Sequence, residues 1–173
     1  MKKLLSILSL IGFITFTSCN DDDTANQVDR DTIAEVFEIN QNTTFTAANN
    51  YRINYTLNPA IYNSDMIMIY RLAGTSGALD IWEQLPQTYN FTDGELSYTF
   101  DFTVQDINLY LFFDGNVLTP AFTDNQVFRV VIIPGYLSNK GGAAPVDFSD
   151  YNAVVKYYNI NQQNIKSLTP GKK

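Results

Sequence analysis

The sequence predicts an all-β protein built as an antiparallel β-sandwich. Runs in which apolar and polar residues alternate recur along the chain, and Gly, Pro, Asn and Asp cluster between them. Twelve Phe and 11 Tyr supply the large side chains that strands favour. We therefore expect about seven strands, which form one domain over residues 32–160.

The strands are predicted in order along the chain. Their segments are 33–39, 51–57, 66–72, 78–85, 96–102, 107–113 and 127–133. The second alternates throughout, so that Tyr51, Ile53, Tyr55 and Leu57 share one side. The third is nearly continuous apolar sequence, which is typical of a strand in the sandwich centre. Asp93-Gly94, Asp114-Gly115 and Pro134-Gly135 are turn signals between strands.

The C-terminal region fits two patterns. Tyr151, Val154, Val155 and Tyr158 have helical spacing, whereas Tyr151, Ala153, Val155 and Tyr157 alternate as in a strand. The polar run 147–150 favours a helix start, so we expect a short C-terminal helix followed by a polar tail, residues 161–173, that frays. An immunoglobulin or fibronectin type of sandwich is expected, with a jelly roll as the main alternative.

The N-terminus indicates an exported protein. Lys2 and Lys3 precede the apolar run 4–16, and the only cysteine, Cys19, follows. Thirteen residues of helix would span roughly 20 Å, which is less than the membrane's hydrocarbon core of about 30 Å. Residues 1–18 are therefore predicted to be a cleaved signal peptide, and Cys19 is predicted to become a lipidated N-terminus.

Residues 16–23, Phe-Thr-Ser-Cys-Asn-Asp-Asp-Asp, resemble the leader end of Bacteroidota lipoproteins. The resemblance implies a lipid anchor at the outer membrane or cell surface, and it implies that Asp21, Asp22 and Asp23 form an export signal. Residues 19–31 are then a flexible acidic tether. Thr24 and Thr32 lie in Asp-Thr-aliphatic triplets that look like the O-glycosylation sites of that group.

Composition excludes several classes of function. Loss of the leader leaves nine Lys and Arg against 18 Asp and Glu, a formal charge of −9, which disfavours nucleic acid as a partner. The chain has no histidine, and its one cysteine is assigned to lipid, so a histidine base, a Ser/His/Asp arrangement, a thiol nucleophile and the commonest zinc ligands are missing. We expect no enzyme activity, no cofactor and no metal site.

The expected function is a binding or structural accessory module at the cell envelope, with a glycan or an envelope protein as partner. Trp82, Tyr89 and Tyr98 are the candidate residues for an exposed platform that stacks on sugars, unless they fill the core. The alternatives are a carbohydrate-binding module of a glycan-uptake system and a carboxylate-based hydrolase. Two or more coplanar aromatic rings exposed on one sheet face would favour the carbohydrate-binding module, and the hydrolase would draw on Asp93, Glu95, Asp101, Asp106 and Asp114.

Overall fold

A computed structural model of the protein describes residues 34–41, 43–135 and 146–168. The predicted signal peptide, lipidation site Cys19, export signal 21–23 and glycosylation sites Thr24 and Thr32 lie outside the described residues.

Two sheets make up the sandwich. Sheet I contains β1 (Glu35–Ile39), β3 (Met66–Ser76), β4 (Leu79–Gln84), β8 (Phe128–Ile133) and β9 (Lys166–Ser167), in the order β4-β3-β8-β1-β9. Sheet II contains β2 (Arg52–Thr56), β5 (Gln87–Phe91), β6 (Gly94–Phe102) and β7 (Asp106–Phe113), in the order β2-β7-β6-β5. The short β9 runs parallel to β1, and the other described pairs are antiparallel.

Within the described ranges, the helical segments bounded on both sides are short. They are the 3₁₀ turns Ala47–Asn49 and Gln162–Asn164 and the helices α1 (Pro120–Thr123) and α2 (Tyr151–Tyr157). Asp150 caps α2, because its carboxylate accepts hydrogen bonds from the backbone N–H groups of Asn152 at 2.9 Å and Ala153 at 3.2 Å. These bonds satisfy donors that the first turn of a helix otherwise leaves free.

The main core fills the space between the sheets. Alternate residues of the strands point inward, including Ile53, Tyr55, Ile67, Ile69, Leu96, Tyr98, Ile107, Leu109, Phe128 and Val130. Each fully buried large apolar side chain contributes about 1.5–3 kcal/mol before its lost conformational entropy is subtracted.

A second apolar layer lies on the other side of sheet I. Helix α2 packs Tyr151, Val154 and Val155 against Met68, Tyr70, Val131 and Ile133. The Tyr70 hydroxyl donates a 2.7 Å hydrogen bond to the backbone carbonyl of Phe148, which ties the segment before α2 to the sheet. Both faces of β3 are therefore covered, which explains its nearly continuous apolar sequence.

The predicted all-β sandwich and the short C-terminal helix are confirmed. All seven predicted strands are present, and β5 and β9 are additional. The tail does not fray at Gln162: it is structured to Leu168, whose N–H donates to the Glu38 carbonyl at 2.9 Å. The strand order also differs from the ABED and CFG sheets of constant-type immunoglobulin domains, because β1 and β2 lie in different sheets, where they pair with β8 and β7.

Candidate functional site

The three aromatic residues predicted as a platform do not lie on one surface. Tyr98 is fully buried on the inner face of β6, and burial raises the pKa of its hydroxyl to about 12. Tyr89 is half-buried on the inner face of β5, where its hydroxyl donates to the Glu83 carboxylate and accepts a 3.0 Å bond from Arg71. Both belong to the interior, so for these two residues the core-filling alternative holds and the sugar platform does not.

Trp82 lies elsewhere, on the outer face of sheet I beside α2. Its ring packs at a tilt against Tyr151, with ring centroids 5.5 Å apart. The guanidinium of Arg129 lies 4.2 Å from the Trp82 ring centroid, within the range of a cation–π contact. Arg129 is held in turn by an ion pair with Glu38 at 3.4 Å and by hydrogen bonds to the Tyr151 hydroxyl and Gln162. Trp82 is therefore half-buried in a fixed position.

An open groove of about 580 Å³ runs beside Trp82, and we call it the Trp82 groove. It lies between β4, the tip of the β3–β4 hairpin, the start of α2 and the 3₁₀ turn Gln162–Asn164. It is lined by Ser76, Ala78, Leu79, Asp80, Ile81, Trp82, Arg129, Asn152 and Gln162.

The outer face of sheet II is a second surface of interest, because it carries polar and aromatic side chains. Strand register places Arg52, Tyr110 and Thr99 side by side in one row, and Asn54, Asn108 and Asp101 in the next. Phe112, Ser97 and Thr88 form a third row on the same face. Whereas α2 covers sheet I, the described helices contribute no side chain to a core on this face of sheet II.

Hydrogen bonds connect the polar side chains of this face. Arg52 donates to the Asn108 side-chain oxygen at 2.7 and 3.2 Å, and Asn54 donates to the same oxygen at 2.8 Å. Asn108 donates to Asp101 at 2.6 Å, and the Tyr110 hydroxyl donates to the second Asp101 oxygen at 2.7 Å. These bonds from Asn108 and Tyr110 lower the pKa of Asp101 below its usual range, and they fix the side chains in one arrangement.

Two aromatic rings accompany this network. Tyr110 and Phe112 lie two residues apart on β7, with ring centroids 6.2 Å apart and planes only 19° from parallel. Phe112 is 57% exposed, and the Arg52 guanidinium lies 5.6 Å from the Tyr110 ring centroid. Phe112 is exposed and Tyr110 is half-buried, and the pair lies beside amides, hydroxyls and a carboxylate. This combination can stack on a sugar ring and bind its hydroxyl groups.

Two of the remaining predicted acids, Asp93 and Asp114, stabilise turns. Asp93 accepts a bond from the Asn116 backbone at 3.1 Å, and Asp114 accepts one from the Glu95 backbone at 2.6 Å. These contacts hold the β5–β6 turn against the loop after β7. Asp106 accepts from Asn54 at 3.1 Å and so belongs to the outer face of sheet II.

Arg52, Asn108, Tyr110 and Phe112 are not among the binding residues predicted from the sequence. A signal for them was available: Leu109 and Leu111 alternate with Tyr110 and Phe112 in the predicted strand 107–113. Because the two leucines face the core, the two aromatics had to face outward.

Comparison with known proteins assigns no family: no protein-family model matches the chain, and neither does any curated protein or any solved structure. The part of the chain that the structure describes contains no helix of sufficient length and hydropathy to cross a membrane. Across the same residues, no three His, Cys, Asp or Glu side chains are grouped so that they could hold a metal ion. The class that the fold and surfaces define is an all-β sandwich with a helix on one sheet and an open polar–aromatic face on the other.

Proposed function

We propose that the protein is a lipid-anchored, non-catalytic binding module of the outer membrane or cell surface, and that the outer face of sheet II binds glycans. The observation that carries the proposal is the near-parallel pair Tyr110 and Phe112, placed beside a pre-formed network of amide, hydroxyl and carboxylate groups. Aromatic rings supply contact area for the apolar faces of sugar rings, and the polar network supplies directional hydrogen bonds.

The chemistry of the face supports binding over hydrolysis. A carboxylate-based glycosidase needs an acid whose pKa is raised, so that it stays protonated at neutral pH. The pKa of Asp101 is shifted the other way, because its charged form accepts bonds from Asn108 and Tyr110. Asp101 therefore suits the role of a fixed hydrogen-bond acceptor.

The lipid anchor rests on the leader and Cys19, and it gives the binding face a location. A module fixed to the envelope by a lipid can hold a polysaccharide close to the cell without any catalytic step. An anchor of this kind supports a role among accessory components of glycan capture.

The test is retention on glycans of the wild type and of single variants of the aromatic pair. Affinity electrophoresis against neutral glucan, mannan, xylan and chitin provides the probes. Tyr110→Ala and Phe112→Ala should each weaken retention on the bound glycan by about five- to thirty-fold, the effect of losing 1–2 kcal/mol at a binding hot spot.

The matched control is Tyr157→Ala, which removes an aromatic residue of α2 that is 40% exposed, on the other side of the sandwich. Retention of this variant should equal that of the wild type. Two results would refute the proposal: no retention on any of the four glycans, or equal retention of Tyr110→Ala, Phe112→Ala and the wild type.

A further inference from the structure

We infer that the Trp82 groove is a second binding site, separate from the outer face of sheet II, and that it takes one neutral sugar unit. The groove and the outer face of sheet II lie on opposite sides of the sandwich, because Trp82 shares the outer face of sheet I with Tyr151 and Arg129. Its volume of about 580 Å³ lies within the range of small-ligand sites.

The groove has a rigid aromatic side. Trp82 is held by Tyr151 and by Arg129, and Arg129 is fixed by Glu38, so the indole loses little conformational entropy when a ligand packs on it. Leu79 and Ile81 continue the lining toward the tip of the β3–β4 hairpin, and alternation along β4 directs their side chains to the face of the strand opposite Trp82.

Polar groups with unused hydrogen-bonding capacity line the rest. The Gln162 side-chain oxygen already accepts from Arg129 and Tyr151, whereas its amide nitrogen has no partner among the described residues. The side chains of Asn152, Asp80 and Ser76 likewise have no hydrogen-bond partner within the described ranges. Together these groups offer both donors and acceptors, which is what the hydroxyl groups of a sugar require.

Charge decides the class of ligand. An anion is disfavoured, because Arg129 is already paired with Glu38 and because Asp80 adds a negative charge to the lining. A cation is disfavoured at the indole, because the Arg129 guanidinium lies 4.2 Å from the Trp82 ring centroid and would repel a second positive group. A neutral ring with one apolar face and several hydroxyls fits both constraints.

The chain provides its own reporter for this site. Trp82 is the only tryptophan in the sequence, so its fluorescence reports on the groove and not on the distant outer face of sheet II. Full-length protein in detergent is titrated with the methyl glycosides of glucose, galactose, mannose and N-acetylglucosamine, with glucuronic acid and glucosamine as charged comparators. N-acetyltryptophanamide is titrated in parallel to subtract any direct effect of the sugars.

We expect a saturable change in Trp82 emission with at least one neutral glycoside and none with the charged sugars. Asn152→Ala and Gln162→Glu should each weaken that binding at least fivefold. Gln162→Glu keeps a side-chain oxygen as acceptor for Arg129 and Tyr151, but it replaces the free N–H donors with a second carboxylate oxygen and adds a negative charge to the lining. Asn152→Ala breaks no side-chain hydrogen bond within the described residues. Tyr157→Ala should bind as the wild type does.

Three results would overturn the inference: no saturable change with any neutral glycoside, equal or tighter binding of a charged sugar, or unchanged affinity in the Asn152→Ala, Gln162→Glu double variant. The proposed function of the outer face of sheet II is tested separately, by polysaccharide retention. It fails if Phe112→Ala is retained as strongly as the wild type. Each site can therefore fail without the other.

Discussion

The register of β2 can be tested by placing an acid on either side of the strand. Tyr55 is fully buried on the inner face, and Arg52 is exposed on the outer face of sheet II. Tyr55→Asp and Arg52→Asp introduce the same side chain three residues apart, so a difference between their stabilities measures which way each position points.

The structure sets the size of the two effects. Losing a buried large aromatic side chain costs about 3–5 kcal/mol, and a carboxyl in that place must either be charged in an apolar core or be held protonated at about 1.4 kcal/mol per pKa unit. Tyr55→Asp should therefore cost roughly 5 kcal/mol or more at pH 7, which is comparable with the whole stability of a small domain. Arg52→Asp loses hydrogen bonds from an exposed side chain and should cost about 1 kcal/mol.

The assay is urea unfolding followed by circular dichroism at pH 7 and pH 5. Protonation relieves the buried carboxyl, so the deficit of Tyr55→Asp relative to the wild type should shrink at pH 5. Tyr55→Phe is the control: it removes only a hydroxyl that donates a 3.4 Å bond to the Gln41 carbonyl, and it should cost less than about 1 kcal/mol. Equal losses for Tyr55→Asp and Arg52→Asp would refute the inward and outward assignment of β2.

Three further predictions concern the lipid anchor, the export signal and the pH dependence of stability. Cys19→Ala should release the protein from membranes or leave it unprocessed, and membrane retention with a normally cleaved N-terminus, measured by fractionation and mass spectrometry, would contradict lipidation. Replacing Asp21, Asp22 and Asp23 with Ala should reduce protease accessibility on intact cells without changing the melting temperature, whereas unaltered accessibility would leave the cluster as a spacer. The lowered pKa of Asp101 stabilises the fold above the ordinary carboxyl range, and this contribution is lost as the pH falls through the folded-state pKa. Asp101→Asn should therefore be less stable than the wild type at pH 7, and this difference in unfolding free energy should shrink as the pH falls below the ordinary carboxyl range. A difference that stays constant with pH would rule this out.

The alternation of apolar and polar residues predicts a strand where one side of the strand is buried and the other is exposed to solvent. That is the case for β2, in which Ile53 and Tyr55 are buried between more exposed neighbours. It fails for β5, whose segment Gln-Thr-Tyr-Asn-Phe lies at the edge of sheet II and contributes only the half-buried Tyr89 to the main core. It also fails for β9, where two exposed residues, Lys166 and Ser167, are held by backbone pairing with β1 and not by side-chain burial.

The candidate sites were predictable only in part, because they depend on contacts between distant segments. The choice of Trp82 as a binding residue identified a residue of the groove, but its partners Arg129 and Tyr151 are 47 and 69 positions away along the chain. The network of Arg52, Asn108 and Asp101 requires the pairing of β2 with β7 and of β7 with β6, which no local pattern specifies. Tyr98 stays open between platform and core from the sequence alone, because alternation shows that Leu96, Tyr98 and Phe100 share a face but not which face is buried.

The strand register of sheet I also shows where the Trp82 groove lies relative to the N-terminal connection that would carry the proposed lipid anchor. The chain enters sheet I at Glu35, which lies opposite Ile132, and Ile132 pairs with Ile67 at the same level of the sheet. From Ile67, β3 runs to Ser76 at the hairpin tip, nine residues that span about 30 Å at the rise of a strand. Trp82 pairs with Leu72 on this distal half, and Arg129 pairs with Glu38 near the far end of β1. With the lipid on Cys19, the connection to Glu35 can extend at most about 55 Å. That connection joins the end of sheet I opposite the hairpin tip, so the Trp82 groove lies on the half of the sheet farther from the point of attachment.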